Sequence, residues 1–140
     1  MQKAVLRLID ANGNRALEGL RVCEEITRLH FNNASTYRQL RLLRHGVAAA
    51  LQQLPISRID LLAARDSLKD VGKRAPSGAV RSLEQLLIIN FQRVKEALRT
   101  LEECCRIASP RAAGSFQALR FKAYTAARQI LLHVAAIRRR

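Results

Sequence analysis

The sequence predicts an all-α protein: a duplicated helical hairpin forming a four-helix bundle, with a long central connection between the two copies. Three observations carry this. The stretch Asn12–Arg28 returns at Asn90–Arg106 at a constant offset of 78 residues, with eight of 17 positions identical in the pattern N-x-x-R-x-x-E-x-L-R-x-x-E-E-x-x-R. Seven of those eight positions are polar, so the duplicated helix preserves chemistry as well as a core pattern. Further along, Tyr37-x-x-Leu40-Arg41 is echoed by Phe116-x-x-Leu119-Arg120 at an offset of 79, which makes the repeated unit a hairpin rather than a single helix. Finally, apolar residues make up 49% of the chain with no Trp, leaving the interior to Leu, Ile, Val and Ala, which suits helices.

Taken in order, the first helix is expected from about Lys3 to His30, broken by Asn32-Asn33-Ala34-Ser35. The second runs from about Thr36 to Gln53, with Leu40, Leu43, Val47, Leu51 and Leu54 at helical spacing, and Pro55 stops it. Ile56–Ala64 suits a short helix, and Asp66–Gly78 an ordered but irregular loop. Ser82 caps the next long helix, with Gln85 three residues on completing a capping box. That helix ends before Ser109-Pro110. Gly114-Ser115 opens the last one, whose inner stripe is Phe116, Leu119, Ala123, Ala127, Ile130, Val134 and Ile137. The chain is thus expected to be one domain over 1–140: a first hairpin at 1–54, a connection at 55–80 and a second hairpin at 81–140. Two hairpins about a pseudo-twofold axis give a bundle with antiparallel neighbours.

The net charge is +14, and 20 of the 25 basic residues are Arg, which points to polyanionic ligands whose oxygens a guanidinium fork can grip in pairs. Basic residues spread along the chain and scarce aromatics argue against nucleic acid, although Arg138-Arg139-Arg140 favours it. Three Cys at spacings that fit neither a disulfide framework nor a zinc site read as apolar fillers of a reduced protein. With no signal-peptide core at the N-terminus and no apolar stretch long enough for a bilayer, the expectation is a cytoplasmic protein without a membrane partner. Helices with polar faces this regular are also compatible with a homodimer.

On a helical wheel, Asn12 falls on the apolar face of the first helix and Arg15 at its edge, and Asn90 and Arg93 repeat this. Inward-facing Arg needs a carboxylate or a ligand anion, because an unpaired buried charge is costly. All four are candidate substrate-binding residues, expected to share one cleft near the bundle axis. Glu18, Arg21, Glu25 and Arg28 lie on the opposite face, as a ladder of alternating charge best read as a solvated ion-pair stripe. Six of the 11 acids sit at matched repeat positions, Glu18 and Glu96 among them. Such carboxylates either hold Mg²⁺ against phosphates or neutralise neighbouring Arg. Arg65-Asp66-x-x-x-Asp70-Val71-Gly72 is the best loop candidate, either for metal and phosphate contacts or as a pair of Asx turns and caps. No G-x-x-x-x-G-K-[ST] or G-x-G-x-x-G occurs, and His30, His45 and His133 have neither metal spacing nor a nucleophile partner.

Several stretches carry a family resemblance. They are Ile9-Asp10-Ala11-Asn12-Gly13-Asn14-Arg15-Ala16-x-Glu18-Gly19-Leu20-Arg21-Val22-x-Glu24-Glu25, then Leu61-Leu62-Ala63-Ala64-Arg65-Asp66 with Asp70-Val71-Gly72, then Asn90-Phe91-x-Arg93-x-x-Glu96-Ala97-Leu98-Arg99-x-Leu101-Glu102-Glu103, and Phe116-x-x-Leu119-Arg120-Phe121-x-x-Tyr124. Together they resemble the monofunctional hydroxymethylpyrimidine phosphate kinase domain of bacterial thiamine biosynthesis, often fused ahead of thiamine-phosphate synthase. The resemblance covers nearly the whole chain. It implies transfer of the γ-phosphoryl of ATP to the phosphate of a pyrimidine monophosphate, with Mg²⁺, and thiamine-phosphate synthase as a partner. On that reading Arg65, Asp66 and Asp70 are catalytic, with Asp66 and Asp70 also on the metal. Apart from the resemblance, Asn12, Arg15, Asn90 and Arg93, by inward position and duplication, together with Glu18, Gly72 and Glu96, are the candidate substrate-binding residues.

Overall fold

The computed structural model describes residues 1–138, which form five helices and no strand: α1 (Lys3–Leu29), α2 (Ala34–Gln52), α3 (Arg58–Ala64), α4 (Leu83–Ala108) and α5 (Pro110–Arg138). Their ends follow local chemistry. After α1 the chain turns at Asn32, whose φ of 50° lies in the left-handed region that Asn tolerates. Asn33 then caps α2, its Oδ1 accepting the Thr36 N–H at 3.1 Å. Ser57 starts α3 by accepting the Asp60 N–H at 3.0 Å. The capping box at Ser82 forms with one change. Ser82 Oγ accepts the Gln85 N–H at 3.1 Å, while Gln85 Oε1 reaches back to the Arg81 N–H at 2.8 Å rather than to that of Ser82.

The start of the last helix is a correction to the sequence reading, which placed it at Gly114-Ser115. It begins at Pro110, with only Ser109 between α4 and α5. Proline at the first helical position loses nothing, because that N–H has no partner in any helix.

The helices close a ring: α1 packs on α2 and α4, and α5 packs on α4 and α2, with α3 against α1. Neighbours are antiparallel. Along the α1–α4 seam, Cys23 Sγ lies 3.9 Å from the Leu87 carbonyl, Gly19 faces Val94, and Arg15 lines one pocket with Arg93 and Glu96. Along α2–α5, Gln39 bonds Gln129 at 3.0 Å and Gly46 abuts Leu119. This geometry explains the long connection. With α1 and α4 antiparallel, α2 ends where α1 begins, but α4 starts at the far end of the bundle. A 26-residue helix is about 39 Å long, so the connecting segment must travel roughly that far.

Leu40, Val47, Phe116 and Ile130 are buried as expected, and Ile9, Leu20, Leu87, Phe91, Leu98 and Leu101 complete the core. Of the stripe expected on α5, only Ile137 is exposed. Two ion pairs enter this interior. Glu24 is fully buried and is gripped by both Nε and Nη2 of Arg44, the latter at 3.2 Å. Glu102 accepts from Arg120 Nε at 2.9 Å. Among the described residues no helix is long and apolar enough to cross a membrane. Arg139 and Arg140, part of the basic run that favoured nucleic acid, lie outside the described residues.

Candidate functional site

The connecting segment folds back onto the first half of α1 and makes a cavity of about 470 Å³ there. Arg7, Asp10 and Asn14 come from α1, at positions three and four apart that share one helix face. Arg65, Asp66 and Asp70 come from the segment after α3. The buried Ala64 anchors the end of α3, and the chain then turns extended at Arg65 (φ −66°, ψ 133°). Arg65 closes a two-pronged bridge to Asp10, Nε to Oδ2 and Nη2 to Oδ1, both at 2.7 Å. That hydrogen bond, with the charge of Asp10, raises the Arg65 guanidinium above its ordinary value, so it stays cationic throughout.

The loop carboxylates behave as the Asx alternative anticipated. Asp66 Oδ1 accepts the Lys69 N–H at 3.2 Å, and Asp70 Oδ1 accepts the Gly72 N–H at 2.7 Å. Each thereby commits one oxygen to its own loop, and both still line the cavity. With Arg65 and Asp10 neutralising each other, Arg7 and the two loop carboxylates remain: a mixed surface, suited to an anion that arrives with a cation. Among the described residues no group of three or more His, Cys, Asp or Glu forms a ready cation cage.

The single shared cleft expected from the sequence is a correction. Arg65, Asp66 and Asp70 line the cavity just described, whereas Arg15 and Arg93 meet Glu96 in a separate pocket of about 370 Å³ on the α1–α4 seam. Asn12 and Asn90 line neither. Each is buried, and its Nδ2 donates to the carbonyl four residues back, Leu8 at 2.9 Å and Leu86 at 2.8 Å. They point inward as expected, but as part of the packing. Glu18 is exposed on α1, and the Gly72 N–H is spent on Asp70. The charged ladder is structural in both copies: Glu25 pairs with Arg21 and Arg28, and Glu103 with Arg99 and Arg106.

Sequence reasoning missed Arg7, Asp10 and Asn14 as cavity residues, although their spacing of three and four was legible. It also missed that Glu24 is buried. The signal was the Glu24-Glu25 doublet, since adjacent helical residues cannot share a face.

Comparison with known proteins matches residues 7–129 to the ThiD2 family model. The chain is 33% identical over 99% of its length to a thiamine-phosphate synthase of Rhodopirellula baltica. It is 37% identical over 95% of its length to one of Nostoc punctiforme, and 37% identical over 86% to one of Synechocystis. It covers 37%, 37% and 34% of those three proteins, so it corresponds to about a third of each. No solved structure matches it significantly. The chain belongs to the ThiD2 family.

Proposed function

We propose that this chain is an ATP-dependent kinase that converts hydroxymethylpyrimidine monophosphate to the diphosphate in thiamine biosynthesis. The observation that carries the reading is the mixed-charge cavity between α1 and the connecting segment, with Arg7, Arg65, Asp66 and Asp70 around one space. Family membership and the thiamine-phosphate synthase relatives support the pathway.

The chemistry asks little of a general base. An oxygen of the acceptor phosphate, already anionic, attacks the γ-phosphorus. The bond from that phosphorus to the β–γ bridging oxygen breaks, and ADP leaves with the electron pair. What the protein contributes is position and counter-charge. Arg7 would face the phosphate oxygens, and Arg65, whose Nε and Nη2 are held by Asp10, would add only its remaining Nη1. Mg²⁺, when bound, would supply charge neutralisation to the transferring phosphates. Asp66 and Asp70 would hold it through their uncommitted oxygens. Two carboxylates without a third suit Mg²⁺, which keeps water and phosphate as its other ligands.

Incubating the protein with ATP, Mg²⁺ and the pyrimidine monophosphate, and following ³¹P NMR, should give ADP and the diphosphate in equal amounts; intact ATP contradicts the reading. Asp66→Asn should lower turnover about a hundredfold, with partial recovery at high Mg²⁺. Its cost in stability should stay near 1 kcal/mol, the worth of a cap. A second reading, an accessory domain serving thiamine-phosphate synthase, is favoured by the chain matching only about a third of relatives that carry that name. It predicts no ADP in the same tube.

A further inference from the structure

We propose that the pocket on the α1–α4 seam is a separate anion site, in which Arg15 and Arg93 clasp one phosphate group between them. Three observations lead there. The two guanidiniums come from repeat-matched positions on different helices, yet they line the same pocket of about 370 Å³. Neither forms an ion pair among the described residues, and the pocket's only carboxylate is Glu96. Two cations against one anion leave a net positive pocket, the opposite balance from the α1–connection cavity.

The packing explains why the like charges meet. An ideal Cβ on Gly19 would lie 2.8 Å from Val94 Cγ2 and 3.3 Å from the Asn90 carbonyl, so α1 and α4 come close together here and a side chain would crowd the seam. Arg15 sits one turn before Gly19, and Arg93 one residue before Val94. The close approach therefore delivers both side chains to one spot. Such convergence is unfavourable in isolation and becomes favourable when a dianion bridges the pair. Each fork offers two parallel N–H donors to a tetrahedral oxyanion.

Glu96 narrows the ligand. A carboxylate beside a phosphate site repels a bare dianion but accepts a hydrogen bond from a ligand donor. The site therefore suits a phosphate monoester with an amino or hydroxyl group near its phosphate, more than free phosphate. It stands apart from the kinase reading, since binding here requires no turnover.

The test is calorimetric titration of wild type and variants with inorganic phosphate and with an amino-bearing phosphate monoester that is not the kinase acceptor, phosphoethanolamine, without nucleotide. Arg15→Ala and Arg93→Ala should each weaken monoester binding at least about tenfold, the loss of one charge-assisted fork. Arg15→Lys should fall between, keeping the charge but losing the fork. Arg99→Ala, which removes a similar charge from the outer ladder, should bind within about twofold of wild type. Glu96→Gln should strengthen inorganic phosphate and weaken the monoester. Preference for the monoester assigns the pocket to an organic phosphate; equal or tighter inorganic phosphate assigns it to the free ion. No measurable binding by wild type overturns the proposal. So does wild-type affinity in both Arg→Ala variants, or a loss in Arg99→Ala equal to theirs. Matching circular dichroism spectra exclude misfolding. Failure of ATP turnover with phosphate binding intact would sink the kinase reading alone.

Discussion

The two copies of the hairpin agree in what builds the scaffold and differ in what borders the cavity. Asn12 and Asn90 are buried to the same 8% and bond the same relative carbonyl, and the outer ladders match pair for pair. By contrast Arg7, Asp10 and Asn14 correspond at the 78-residue offset to Gln85, Ile88 and Gln92, which cannot repeat the Arg65 bridge or its charges. The connection docks α3 on α1 alone. Duplication thus supplied a symmetric frame, and one copy acquired an asymmetric cavity.

The buried ion pairs show the same divergence inside the frame. Glu24 and Glu102 are repeat partners, but Glu24 takes Arg44, whereas Glu102 takes Arg120, the match of Arg41. Arg120 also lies against the rings of Phe121 and Tyr124, with centroids at 5.1 and 5.8 Å. The first copy has Leu42 and His45 at those places, so Arg41 lacks that aromatic seat and stays exposed. The largest expected effect follows. Arg44→Ala should cost about 3–5 kcal/mol, because it strands the carboxylate of Glu24 in the core. Arg120→Ala should cost less, since Glu102 keeps some contact with solvent. Urea melts of the two variants check this, and equal losses would break the contrast.

Next in size is Gly19→Ala, which places a methyl against Val94 and the Asn90 carbonyl and should cost about 1–3 kcal/mol. The repeat-matched position carries Ala97, which is itself buried. A Tm unchanged in Gly19→Ala would mean the helices separate freely.

Cys23, matched by Leu101, adds to the alkaline limb from the first copy, as Cys105, whose thiol burial raises to about 11, does from the second. Burial, and then the neighbouring Glu24, pushes the Cys23 thiol from 9.0 up to about 12. A raised pKa stabilises the fold fully below the unfolded value and ceases to as pH climbs through the folded one. Stability should therefore fall between about pH 9 and 12, and Cys23→Ala should flatten that limb. In the native state Cys23 should resist thiol reagents at pH 8.

The smallest effects should be equal in the two halves. The hydrogen bond from Arg28 lowers the carboxyl of Glu25 below its ordinary 4.5, and Arg106 does the same for Glu103. Lowered carboxyl values stabilise above the unfolded pKa, and the contribution is lost as pH falls through the folded one. Glu25→Gln and Glu103→Gln should each slightly blunt the acid limb below about pH 4.5. Unequal blunting would show that the ladders are not equivalent.

Much of the frame was legible because it is local. Repeated words, helical spacing and the Ser82 cap are all written within a few residues of where they act. The start of α5 was misread because Gly114 looked like a boundary, while Pro110, the true first residue, looked like a terminator. The partition of the candidate site was not legible. Whether Arg15 meets Arg65 or Arg93 depends on which face of α1 each neighbour covers, and the antiparallel packing of α1 on α4 decides that. Likewise, nothing near Glu24 chooses Arg44 over Arg41; the register of α2 against α1 does.

We propose that phosphoryl transfer belongs to the asymmetric cavity of the first copy. Its most direct measurement is steady-state turnover in the repeat-matched pair Asn14→Ala and Gln92→Ala. Both residues are exposed on their helices and both substitutions favour helix, so neither should lower stability. Asn14→Ala should lose at least about tenfold in kcat/KM, the worth of one positioned hydrogen bond, while Gln92→Ala should match wild type. Equal rates in the two variants, or no diphosphate from any of the three proteins, would contradict it.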